Sequence, residues 1–118
     1  MEDESSVRRA LDSFLRSEGL SVQCVASGKE ALTLVTKNGM RPDFVISDYN
    51  LPGKMNGVES IEALRVALAW KIPGVVLTGD IRSQVNKSIA TYGLAIASKP
   101  FDADELLQLI RLHARSSA

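Results

Sequence analysis

The 118-residue chain contains one cysteine, Cys24, and one histidine, His113. A lone thiol rules out an internal disulfide and any zinc site built on paired cysteines, and it suits a reducing compartment. The chain also lacks net charge, because 14 basic and 14 acidic residues cancel. Nothing in that balance argues for direct contact with nucleic acid or with a membrane surface. No apolar run approaches the roughly 18 residues of a spanning helix, and no secretory signal is present. The expectation is therefore one cytoplasmic globular domain over residues 1–118, large enough to bury a core without staples.

What is there is an alternation of two periodicities. "SSVRRALDSFLRSEG" sets Val7, Ala10, Leu11, Phe14 and Leu15 on one helical stripe, with Ser5 or Ser6 to cap it and Gly19 to close it. "SVQCVA" reads as a short strand. "SGKEALTLVTKNG" is a second helix, with Ser27 as cap and Gly39 as stop. "DFVIS" is apolar almost throughout, as suits a strand covered on both faces.

The pattern then repeats. "GVESIEALRVALAW" aligns Val58, Ile61, Leu64 and Leu68 along a helix, and "GVVL" is a buried strand. "IRSQVNKSIATYG" is a helix carrying Ile81, Val85 and Ile89, and "LAIA" is a strand. "DADELLQLIRLHA" closes the chain as a helix with acids first and Arg111, His113 and Arg115 last, the charge order that suits its dipole. His113 reads as a helix-end cation.

Strands separated by helices predict a parallel sheet covered on both faces. The count is odd, however: five helices, only four strands, and a helix first. A doubly wound domain of this size ordinarily opens on a strand, and that strand would end where Glu2, Asp3 and Glu4 stand.

Ligands of such sheets bind beyond the carboxyl ends of the strands. Asp48 follows "FVIS", Thr78 follows "VVL", Lys99 follows "AIAS", and Glu2 and Asp3 precede the first helix. Converging on one edge, these residues offer several carboxylates, a hydroxyl and an ammonium. Clustered acids are costly unless a cation joins them, and hard oxygen ligands suit Mg²⁺.

"SDYNLPGKMNG", "VVLTGD" and "ASKPF", with the acidic pair before the first helix, resemble the receiver domain of bacterial two-component response regulators over essentially the whole chain. The resemblance implies an α/β, flavodoxin-like, doubly wound parallel sheet of the (βα)5 receiver type, with its first strand missing or truncated. It implies that Asp48 accepts a phosphoryl group from a phosphohistidine on a sensor histidine kinase or a histidine phosphotransfer protein. Asp3 and Asp48 would hold Mg²⁺ directly, with Asn50 giving its backbone carbonyl and Glu2 acting through water. Thr78 and Lys99 would bind phosphoryl oxygens, and the Lys99–Pro100 peptide would be cis. Such a chain is a signalling switch rather than an enzyme on other substrates, and it works with an effector or kinase domain in cis or as a stand-alone regulator.

Two rival readings remain at this stage. One is a pseudo-receiver that signals by association without phosphorylation. The other is a haloacid-dehalogenase-type phosphatase, which wants an acid two residues after its nucleophile, where this chain has Asn50. Departures from the receiver pattern are a loop one residue longer around "GKMNG", Ile96 where an aromatic is usual, and the absent first strand. That strand would be central in the sheet. The expectation is that apolar residues upstream of Met1 supply it; otherwise Glu2 and Asp3 are loosely held, and exposed strand edges favour self-association. Leu109 and Leu112 on the last helix are apolar groups beyond its core stripe of Ala103, Leu106, Leu107 and Ile110, with two readings open, partly buried or facing a partner.

Overall fold

In the computed structural model of the chain, residues 1–79 and 83–114 are described. The expectations placed on Ile81 and Arg115 lie outside them. Three parallel strands, β1 (Val45–Asp48), β2 (Gly74–Thr78) and β3 (Ala95–Ser98), pair in the order β1-β2-β3. Five helices accompany them: α1 (Ser5–Ser17), α2 (Gly28–Thr36), α3 (Gly57–Leu68), α4 (Ser83–Thr91) and α5 (Ala103–Ala114).

The apolar runs of β1 and β2 are covered on both faces. Along β2, Val75 and Leu77 pack with Leu11 of α1 and Leu106 of α5. Val76, between them, packs on the other side with residues of α2, α3 and α4, among them Val35, Ile61 and Ile89. Alternating side chains thus serve two separate helical layers, which is why the strand needs to be apolar at every position. Leu109 is partly buried against the first of these layers, whereas Leu112 is 70 % exposed.

Helix ends follow the local chemistry. Ser27 caps α2 by accepting from the Glu30 amide, and Asn56 and Glu59 form a reciprocal capping box at α3. Gly19 and Gly39 take positive φ beyond α1 and α2, as a stop residue should. At α1 the serine cap is not used. Glu4 is the extended residue that precedes the helix, and its backbone carbonyl accepts from the Arg8 amide at 3.0 Å. At the opposite end of the sheet from the site, Arg65 is buried. It donates through Nε and Nη2 to the Ile72 carbonyl and through Nη1 to the Tyr92 carbonyl.

One predicted strand is absent. "SVQCVA" is irregular, and a cleft of about 470 Å³ separates it from β1. A strand is defined by its ladder partners rather than by its own composition, and across this gap they are out of reach. Among the described residues, Met1 and Glu2 enter the gap: the Met1 α-ammonium donates to the Ile46 carbonyl at 2.5 Å, and the Asp48 amide donates to the Met1 carbonyl at 2.9 Å. On the other side the Glu2 amide donates to the Val25 carbonyl at 3.0 Å. Met1 and Glu2 therefore form a stub of a further parallel strand between the two segments.

Candidate functional site

The register brings the ends of the strands to one edge. Asp48 lies opposite Leu77, Thr78 lies opposite Ser98, and the Lys99 amide donates to the Thr78 carbonyl at 3.0 Å. Asp48 and Thr78 are buried at 6 % and 3 % exposure. The Lys99–Pro100 peptide is cis. From the other side, the Met1–Glu2 stub delivers the acidic pair, so one carboxylate oxygen from each of Glu2, Asp3 and Asp48 lies within 4.8 Å of the others.

The electrostatics of this group are unbalanced. Lys99 Nζ stands 2.5 Å from Asp48 Oδ1 and 3.6 Å from Glu2 Oε2. The Lys99 ammonium therefore meets two of the three carboxylates. Burial alone would lower the Lys99 pKa, but its hydrogen bond and attraction to Asp48, with a smaller contribution from Glu2, raise it above the ordinary lysine value. Glu2 is pushed up by burial and further by the neighbouring Asp48, against the opposing effects of the Glu4 amide and Lys99.

Glu2 Oε1 accepts from the Glu4 amide at 3.1 Å, whereas the buried Oε2 has no hydrogen-bond donor among the described residues. A buried oxygen without a hydrogen-bond donor, 3.6 Å from the Lys99 ammonium and beside two further carboxylates, fits a hard divalent cation, which would give it a closer partner and add positive charge. Mg²⁺ is compatible with this all-oxygen set.

Each residue singled out in the sequence has a definite place. Glu2, Asp3, Asp48 and Lys99 meet. Thr78 is buried at the end of the adjoining strand, and Asn50 lies in the exposed bend two residues past Asp48. Ile96 on β3 is 40 % exposed. Arg8 was not foreseen. Its Nη1 donates to the carbonyls of Glu2 and Asp3 at 2.9 and 3.0 Å, so α1 grips the backbone that carries both acids. The only sequence signal for this was an arginine one helical turn beyond an acidic pair, and such an arginine ordinarily reads as a solvated cation.

Comparison with known proteins agrees with this geometry. The model of the response regulator receiver domain family matches residues 1–111. Sporulation initiation phosphotransferase F of Bacillus subtilis is 30% identical over 113 residues, covering 94% of this chain and 87% of its own length. The DNA-binding response regulator MtrA of Mycolicibacterium paratuberculosis is 32% identical over 116 residues, 98% of this chain but 49% of its own. The chain thus spans about half the length of that relative. Among solved structures, the receiver domain of the Francisella response regulator 1452 superposes with a TM-score of 0.86 at 20% identity, covering 99% of this chain and 94% of that one. The chemotaxis protein CheY4 of Vibrio cholerae gives 0.81 at 28% identity, with 95% and 92% covered. With the parallel sheet, its two helical layers and the acids gathered at its carboxyl edge, the match over nearly the full length makes this chain a member of the response regulator receiver domain family.

Proposed function

We propose that Asp48 is the phosphoacceptor of a phosphorylation-operated switch. The observation that carries the reading is the buried Asp48 carboxylate at the end of β1, in contact with the Lys99 ammonium and within ligand distance of Glu2 and Asp3. A carboxylate oxygen of Asp48 attacks the phosphorus of a phosphohistidine. The P–N bond breaks, a P–O bond forms, and the imidazole nitrogen takes up a proton as it leaves. Phosphoryl transfer asks little covalent help of the protein and much charge neutralisation and positioning.

Lys99 provides a fixed positive charge beside the attacking group and pairs with a phosphoryl oxygen once the transfer is complete. The Thr78 hydroxyl, on the neighbouring strand end, donates to another. Glu2, Asp3, Asp48 and the Asn50 carbonyl form the set that would hold Mg²⁺. The bound ion would neutralise and orient the phosphoryl oxygens.

The donor in this reading is a sensor histidine kinase or a histidine phosphotransfer protein. The output is a changed affinity for a partner or for an effector domain in cis. The alternative, association without phosphorylation, draws no support from the site, because acids, hydroxyl and lysine all stand at the strand ends. The test is incubation with Mg²⁺ and acetyl phosphate, followed by mass mapping. Modification is expected at Asp48 alone and is lost in Asp48→Asn. Modification elsewhere, or none in a folded chain, refutes the reading.

A further inference from the structure

The outer face of α3 lacks the polar residues that a solvated helix carries. On α2 the exposed residues, Lys29, Glu30, Thr33 and Thr36, are all polar. On α3 they are Glu59, Val66 and Ala67, and the chain leaving the helix exposes Ala69, Trp70 and Lys71. Val66 is 80 % exposed and Trp70 38 %. By helical spacing Ala63 shares a stripe with Val66, on the side of α3 opposite the core residues Ile61 and Leu64.

The charges bordering this stripe are ordered along it, with Glu62 before Val66 and Lys71 just past the end of the helix. Both lie on the flank toward α4. Glu62 pairs with Arg65 at 3.0 Å, and Arg65 also donates to the Tyr92 carbonyl just after α4. Lys71 Nζ lies over Gly93, where a Cβ would approach it within 3.1 Å. The other flank is taken by α2, since Ser60 of α3 is pressed against Gly28. The Glu62 side chain remains 37 % exposed, so a second cation can reach it.

We propose that this face is a self-association surface, on which a second copy of the chain packs its own α3 antiparallel across a two-fold axis between Val66 and Ala67. Such an axis, lying in the interface at right angles to the helices, keeps the α4 flank of one copy beside that of the other. Glu62 then meets Lys71 of the second copy, and the symmetry makes the contact twice. Trp70 covers Ala63, a large side chain on a small one, and Val66 meets Ala67. A parallel pairing would oppose Glu62 to Glu62 and Lys71 to Lys71, so the charge order selects the antiparallel one. A foreign partner would need the same charges in reverse order; a second copy has them by symmetry. A 12-residue helix is about 18 Å long, which offers less contact than the about 800 Å² per partner of a standard interface. The dimer is therefore weak and concentration-dependent. The inference draws on no part of the phosphoryl-transfer reading.

Sedimentation equilibrium of the 118-residue chain over a range of concentrations, without Mg²⁺ or phosphodonor, tests it. The apparent mass is expected to rise from the 12.8 kDa of one chain toward that of two. Val66→Glu sets two acids beside the axis and should weaken association by more than about tenfold. Its Tm should stay that of the wild-type chain, because the side chain is exposed. Glu62→Lys and Lys71→Glu should each weaken association by about fivefold. An equimolar mixture of these two variants should associate as the wild-type chain does, since the mixed pair restores both charge contacts with their signs exchanged. A chain that stays monomeric throughout would overturn the proposal and reassign the stripe to a foreign partner. Association that survives Val66→Glu would overturn it as well, by placing the contact elsewhere. If both charge variants keep the wild-type Tm and their mixture fails to recover, the antiparallel register is wrong.

Discussion

Gly57, the first residue of α3, is pressed against the backbone of Asp48: a Cβ at position 57 would lie 2.1 Å from the Asp48 carbonyl oxygen. The same residue donates its amide to the Tyr49 carbonyl at 2.7 Å. The start of α3 and the end of β1 are therefore one tightly packed joint, and the Asp48 carboxylate hangs from it. No real side chain fits so close to backbone, so Gly57→Ala must push the two elements apart. It should cost about 1–3 kcal/mol in denaturant unfolding and reduce loading of Asp48 by acetyl phosphate. Unchanged stability would mean that the joint yields freely.

Arg8 offers a test of how the acids are held. Its guanidinium binds the backbone of Glu2 and Asp3 rather than their carboxylates. Arg8→Ala should therefore leave the ligand set complete but loosely positioned. We expect Mg²⁺ affinity to fall by about tenfold, measured by calorimetry. Arg8→Lys should restore little, because a single ammonium reproduces the reach of the planar fork poorly.

The raised pKa of Glu2 has a definite sign for stability. A carboxyl group that holds its proton more tightly in the folded state contributes most below its ordinary value near 4.5. That contribution is lost as pH rises from there through the folded-state value. In the absence of divalent cations, unfolding free energy should therefore decline across that window. Glu2→Gln should remove this part of the decline, and Mg²⁺ should stabilise the wild-type chain more above the window than below it. Urea titrations at pH 4 to 7, with and without Mg²⁺, report all three.

Hydrolysis of the acyl phosphate should answer to the side chains flanking the acceptor. Asn50 is exposed beside the site, and Asp80 stands two residues past Thr78 in the sequence, outside the described residues. Both are polar and able to orient an attacking water. Asn50→Leu and Asp80→Leu should each lengthen the lifetime of phosphorylated Asp48 several-fold, followed by loss of the mass increment over time. If both variants decay at the wild-type rate, these groups do not govern the reaction.

The parts of this molecule that were readable in its sequence are those that depend on local chemistry. β1 and β2 announce themselves because strands covered on both faces must be apolar throughout, β3 by its short apolar run although Ile96 is exposed, and Ser27, Gly19 and Gly39 punctuate their helices as their backbone preferences dictate. Asp48, Thr78 and Lys99 were legible because polar residues directly after such runs sit at the ligand-binding edge. What was misread depends on distant partners. Residues 21–25 have the composition of a strand but face a cleft, and Arg8 acts through carbonyls that leave no mark on side-chain patterns.

The Arg65 clamp has a mechanical consequence. One buried guanidinium ties the carbonyl of Ile72, just before β2, to that of Tyr92, just before β3. Both strands are thus pinned at their entry ends, like two slats riveted at one side. Any displacement imposed at Thr78 or Lys99 cannot be absorbed by sliding β2 along β3, because the rivet resists it. The exit ends are joined as well, by the Lys99 amide donating to the Thr78 carbonyl at 3.0 Å, so β2 and β3 are fastened beyond their ladder at both ends and move as one plank.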